Sequence, residues 1–70
     1  MIHITVNGTK EIHEHVVSLG DVLKTRDITA ESSQGVAVAL NDRIVRRTEW
    51  TSTPIETGAT VEIVTARQGG

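Results

Sequence analysis

Seventy residues with a formal net charge of -2, no cysteine and a single aromatic side chain describe one small domain, near the lower size limit for a self-supporting core. That charge disfavours a general nucleic-acid binder, which is normally basic, and the missing thiols exclude disulfides, a cysteine zinc site and a cysteine nucleophile. The core has to be aliphatic, with little room for a deep substrate pocket.

Ile2, Ile4 and Val6 alternate with His3 and Thr5, the period of a half-buried strand. Asn7-Gly8-Thr9 supplies a turn, and Lys10 to Val17 is the return strand, with Ile12 inward. Pairing Val6 with Lys10 across a three-residue loop sets Ile4 beside Ile12 on one face and His3 beside His13 on the other. Ser18 and Asp21 form a capping box for a short helix from Leu19 to about Arg26, whose Leu19, Val22 and Leu23 make one apolar stripe. Gly20 in its first turn weakens that helix. Asp27 to Gly35 is a polar surface connection.

Val36-Ala37-Val38-Ala39-Leu40 is the most apolar run and is expected as the central strand, large residues inward and alanines outward. Asn41-Asp42 is a tight turn, and Arg43 to Arg47 a short basic strand. Trp50 is expected as a packing lid at the core edge. Thr53-Pro54 keeps the backbone extended, Ile55 anchors, and the last strand begins near Thr60 and runs through Val61-Glu62-Ile63-Val64-Thr65-Ala66. The order β, β, α, β, β, β predicts an α+β fold: one mixed sheet of four to five strands with a single helix across it, the first and last strands parallel neighbours in the middle. This is the β-grasp, or ubiquitin-like, arrangement, assigned to residues 1–66, with 67–70 as a tail.

Met1 is followed by strand-like alternation rather than a leader, and no apolar run approaches a membrane span, so the expected location is the cytoplasm, with no membrane partner. Nothing internal has a catalytic pattern: no serine sits in a nucleophile elbow and there is no glycine-rich phosphate loop. His3, His13 and His15 could share the outward face of the hairpin. Solvated histidines fit there better than metal ligands, because no further ligand is clearly placed and the face is wet. Arg43, Arg46 and Arg47 form a basic strip without interleaved aromatics, suited to solvent or to an acidic protein partner. Val64, outward if Val61 and Ile63 face the core, and Val45 two strands away give a shallow apolar patch, a candidate protein interface. The closing Arg67-Gln68-Gly69-Gly70 combines a slim backbone with an open terminal carboxylate. Composition alone suits both a presented acyl group and a frayed end.

Val36 to Asn41, Ile44-Val45, Arg47, Glu49-Trp50, Gly58, Val61 to Val64 and the closing Gln68-Gly69-Gly70 resemble the ThiS family of sulfur carriers in thiamine biosynthesis, over nearly the whole chain. Ala59 and Asp42 depart from it, standing where an acidic residue and a glycine are common. The resemblance implies a non-enzymatic carrier whose Gly70 carboxylate is adenylated, converted to a thiocarboxylate and passed on. Gly69, Gln68 and Arg67 would form the tail that enters a partner's channel. The implied partners are an E1-like adenylyltransferase of the ThiF type, a thiazole synthase of the ThiG type and a sulfur donor such as a cysteine desulfurase. ATP, Mg and Zn would be bound by the activating enzyme, and no cofactor by this chain. A related carrier for molybdopterin or cysteine synthesis, a protein modifier, or an interaction module with an inert tail are the alternatives.

Overall fold

The structure, a computed structural model, describes residues 1–15, 18–31 and 34–65. Strands β1 (Ile2–Val6) and β2 (Thr9–His13) form a hairpin, followed by helix α1 (Leu19–Lys24), then β3 (Val36–Leu40), β4 (Arg43–Ile44), a 3-10 segment (Arg47–Ser52) and β5 (Thr60–Thr65). They build one five-stranded mixed sheet in the order β2-β1-β5-β3-β4. β1 and β5 are parallel, as Thr5 opposite Thr60 and Val6 opposite Val61, and the other pairings are antiparallel. This is the β-grasp architecture the element order predicts. β1 and β5 are the parallel neighbours in the middle, as expected, whereas β3, expected as the central strand, lies one place further out. The apolar content of β3 reflects large residues on the helix side and alanines on the other, not burial on both faces.

One face of the sheet is covered. Ile2, Ile4, Val6, Val38 and Val61 lie beneath Leu19, Val22 and Leu23 of α1, with Trp50 and Ile55 closing the side. α1 begins as its sequence predicts. The Ser18 hydroxyl accepts from the Asp21 amide at 3.1 Å and the Asp21 carboxylate accepts from the Ser18 amide at 3.3 Å, which satisfies amides that the first turn leaves free. Gly20 has a packing role that its low helix propensity does not reveal. A Cβ there would lie 2.9 Å from Thr51 Cγ2 and 3.1 Å from Thr51 Cα, so its bare backbone lets the 3-10 segment lie against α1.

The hairpin corrects the expected register. Asn7 and Gly8 take φ of 49° and 83°, a two-residue loop of the kind asparagine-glycine favours, and Val6 pairs with Thr9 rather than Lys10. One residue of slip turns every side chain of β2 over. Ile12 therefore lies opposite His3 and Glu11 opposite Ile4. Ile12 is 60% exposed on the open face instead of buried, while Glu11 and His13 are half-buried on the helix side. β2 ends at His13. The expected continuation to Val17 reaches Val16 and Val17, which lie outside the described residues.

β4 is likewise shorter than its expected span of Arg43 to Arg47, and its parity is the reverse of the one expected. Ile44 pairs with Ala39 and is 74% exposed. Val45, expected to face out, instead packs on the core. Its amide donates to the Val38 carbonyl at 2.9 Å and its carbonyl accepts the Trp50 indole N–H at 3.0 Å. The indole needs that acceptor because Trp50 is buried, and the 3-10 segment Arg47–Ser52 that carries it stands where no regular element is expected. Asp42 has φ of 69°, the left-handed conformation that makes glycine common at such a position.

Candidate functional site

β5 leads towards residues 67–70, expected as a tail, so the groups that hold β5 define the root of that expected tail. β1 and β3 flank it, and each ends in a tight turn that opens with an asparagine at positive φ, Asn7 at 49° and Asn41 at 50°. Both carboxamides turn back onto β5. At its start, the Asn41 amide donates to the Thr60 carbonyl at 2.8 Å and the Asn41 Oδ1 accepts from the Thr60 amide at 2.9 Å.

Further along, β1 stops at Val6, and the Asn7 amide donates to the Val61 carbonyl at 2.9 Å. The Asn7 side chain then acts as one more strand residue: Oδ1 accepts from the Ile63 amide at 2.7 Å and Nδ2 donates to the Ile63 carbonyl at 3.3 Å. A carboxamide has the donor and acceptor of a peptide group, so the ladder extends past the strand that made it. Ile63 is fixed two residues before β5 ends at Thr65. Sequence reasoning treated both asparagines as turn formers only. The available signal was that asparagine, unlike glycine, keeps a side chain that can hydrogen-bond nearby backbone from a positive φ.

Beside this root lies the open face of the sheet. Val64 is 61% exposed and pairs with Ala37, while Glu62 pairs with Ala39, which in turn pairs with Ile44. The two alanines form a low floor between Val64 and Ile44, with the Glu62 carboxylate beside them. Of the two residues expected on a patch, Val64 is exposed, Val45 packs beneath the sheet, and Ile44 takes the outward place. With Leu40 opposite Arg43, Ile44 falls opposite the outward Ala39, a consequence of the two-residue turn that the expected parity of Val45 overlooks.

The histidines are not brought together. His3 is exposed on the open face, His15 lies past the end of β2, and His13 is half-buried on the helix side, with its Nε2 3.2 Å from Glu11 Oε1. Among the described residues no group of three His, Cys, Asp or Glu side chains could hold a metal ion. Glu11 also accepts from the Arg26 guanidinium. That hydrogen bond is the main cause that lowers the Glu11 pKa below the ordinary value, with burial opposing it and His13 adding to it. A cleft of about 220 Å³ lined by Gly20, Lys24, Ile28 and Trp50 lies beside α1, too small to enclose a drug-sized substrate. No helix among the described residues is long and apolar enough to cross a membrane. Gly70, Gly69, Gln68 and Arg67, expected as the acyl site and its tail, lie outside the described residues.

The family model that matches the chain, over residues 2–70, is that of the ThiS family. Two solved structures share its fold. A crystal structure of a thiamine biosynthesis protein (ThiS) from Geobacter metallireducens superposes with a TM-score of 0.77 at 22% identity, covering 99% of this chain and 100% of that one. A solution NMR structure of a thiamine biosynthesis protein from the same organism gives 0.76 at 22% identity, covering 99% of this chain and 88% of that one. No functionally curated protein matches the chain.

Proposed function

This chain belongs to the ThiS family, which supports a sulfur carrier of thiamine biosynthesis, and we propose that its working group is the Gly70 carboxylate. The observation that carries this reading is the double asparagine clamp on β5, which anchors the segment leading to Gly70 beside the apolar face of Val64 and Ile44. A carboxylate is a poor acyl electrophile. An E1-like adenylyltransferase of the ThiF type, holding Mg-ATP and its own zinc, would join the Gly70 oxygen to the α-phosphorus and release pyrophosphate. Sulfur from a persulfide, supplied by a donor such as a cysteine desulfurase, would then attack the acyl carbon and expel AMP. Reductive cleavage of the sulfur–sulfur bond by a thiol would leave the thiocarboxylate, for delivery to a thiazole synthase.

On this reading the chain's own contribution is presentation rather than catalysis. The tail residues Arg67, Gln68 and Gly69 would occupy the partner's channel, since a Cβ-free residue admits close backbone approach. Val64 and Ile44 would bury apolar surface at docking, with the alanine floor admitting a partner side chain. The lack of cysteine suits a carrier that must not divert persulfide to its own thiols. The test is ATP–pyrophosphate exchange by the adenylyltransferase. Exchange should require this protein, be lost when Gly69 and Gly70 are deleted, and show a raised KM for carrier bearing Val64→Asp or Ile44→Glu. Exchange that is indifferent to the deletion would refute the reading.

A further inference from the structure

Among the described residues β2 is an edge strand, and the direction of the backbone groups left unpaired there follows from its neighbour. The His3 amide donates to Thr57 Oγ1 at 2.9 Å, its carbonyl accepts from Gly58 at 2.7 Å, and the Thr5 amide donates to the Ala59 carbonyl at 3.0 Å. His3 and Thr5 therefore aim their backbone away from β2. In an antiparallel ladder the residues opposite such positions aim theirs away as well. These are Ile12 and Lys10, whose N–H and C=O groups face the open edge. Native sheets usually blunt such an edge, yet this one carries an Ile12 that is 60% exposed at its middle.

We propose that β2 pairs antiparallel with β2 of a second copy about a two-fold axis at Ile12. The sequence around the edge, Lys10-Glu11-Ile12-His13-Glu14, complements itself in this register. Ile12 meets Ile12, each Lys10 faces Glu14 of the other copy, and each Glu11 faces the other His13. Moving the axis to Glu11 would oppose two like charges and set Lys10 against Ile12, and moving it to His13 would set Ile12 against Glu14. Cross-strand pairs of opposite charge favour a register and like charges disfavour it. The seam leaves β5 untouched, because β1 stands between them, so both tail roots stay accessible. One short ladder buries less than the roughly 1,000 Å² of a stable interface, so the dimer is weak, with a Kd on the order of 0.1–1 mM.

Sedimentation equilibrium and amide chemical shifts followed from about 10 μM to about 1 mM test this directly. The expected result is a monomer–dimer equilibrium with concentration-dependent shifts confined to residues 9–14. Lys10→Glu and Glu14→Lys should each weaken association about tenfold, since two-fold symmetry counts every pair twice. The double variant Lys10→Glu/Glu14→Lys should restore it. A chain that stays monomeric at about 1 mM, shifts that fall on another surface, or association unaffected by either charge reversal would overturn the proposal.

Discussion

Asn7 is the residue through which a turn reaches the tail root. Replacing it with alanine removes two hydrogen bonds to Ile63 and leaves at a φ of 49° a residue that tolerates the left-handed region less well than asparagine. Asn7→Ala should cost about 1–2 kcal/mol in urea unfolding, and amide exchange at Ile63 should speed up more than at Ile4. Asn7→Gly keeps the turn and loses only the clamp, so it should retain much of the stability while still freeing Ile63. Equal protection of Ile63 in both variants and the native protein would show that the carboxamide holds nothing.

Glu11 offers a separate handle, through pH. Its carboxyl is held below the ordinary value of about 4.5, chiefly by the Arg26 hydrogen bond, so the unfolded chain takes up the proton before the folded one does. The stabilisation is therefore fully present above the ordinary value and is lost as pH falls through the lower folded value. Between about pH 5 and pH 3, Tm should fall more steeply for the native protein than for Glu11→Gln. Parallel curves would contradict the assignment.

At the scale of elements, the contact between α1 and the 3-10 segment depends on one missing methyl. In an exposed helix glycine to alanine stabilises by about 1 kcal/mol, but at Gly20 the added Cβ meets the Thr51 side chain and backbone. Gly20→Ala should instead destabilise by about 1–2 kcal/mol, and Thr51→Ser, which removes the nearer of those carbons, should recover part of the loss. A stabilised Gly20→Ala protein would mean that the segment yields freely.

The same elements show what could be read without coordinates. The β-grasp order, the capping box and the inward sides of β1, β3 and β5 were legible because each rests on a local rule, whether alternation, spacing or cap chemistry. The faces of β2 and β4 were not. Each follows a two-residue turn, and the length of that turn sets which side of the next strand faces the core. For β2 the asparagine-glycine pair favoured the shorter loop, and the expected three-residue loop misplaced Ile12 and Glu11. For β4 the Asn41-Asp42 turn closes as expected, and the register it sets, Ile44 opposite Ala39, turns Val45 inward, where its carbonyl accepts the Trp50 indole N–H. The outward side of Val64 was legible, since it continues a long strand. The roles of Asn7 and Asn41 were not, because they arise from contacts with β5 far away in sequence, and the outward place of Ile44 depends on its pairing with Ala39 across the turn.

For the whole molecule, the arrangement separates two tasks. One side of the sheet is committed to a core that α1 and the 3-10 segment close, and the other offers Val64 and Ile44 with little bulk between them. The last strand lies at the centre, braced by both neighbouring turns, which suits the proposed presentation of the terminal residues. In the proposed reading a partner would recognise the rigid face while acting on the Gly70 carboxylate. The most direct measurement is the intact mass of this protein after incubation with its adenylyltransferase, Mg-ATP, a sulfurtransferase and a sulfur source. Exchange of one terminal oxygen for sulfur should raise the mass by about 16 Da, in the native protein and not in one lacking Gly70. An unchanged mass under conditions in which the enzyme thiocarboxylates another carrier, or a gain that survives removal of Gly70, would contradict the account.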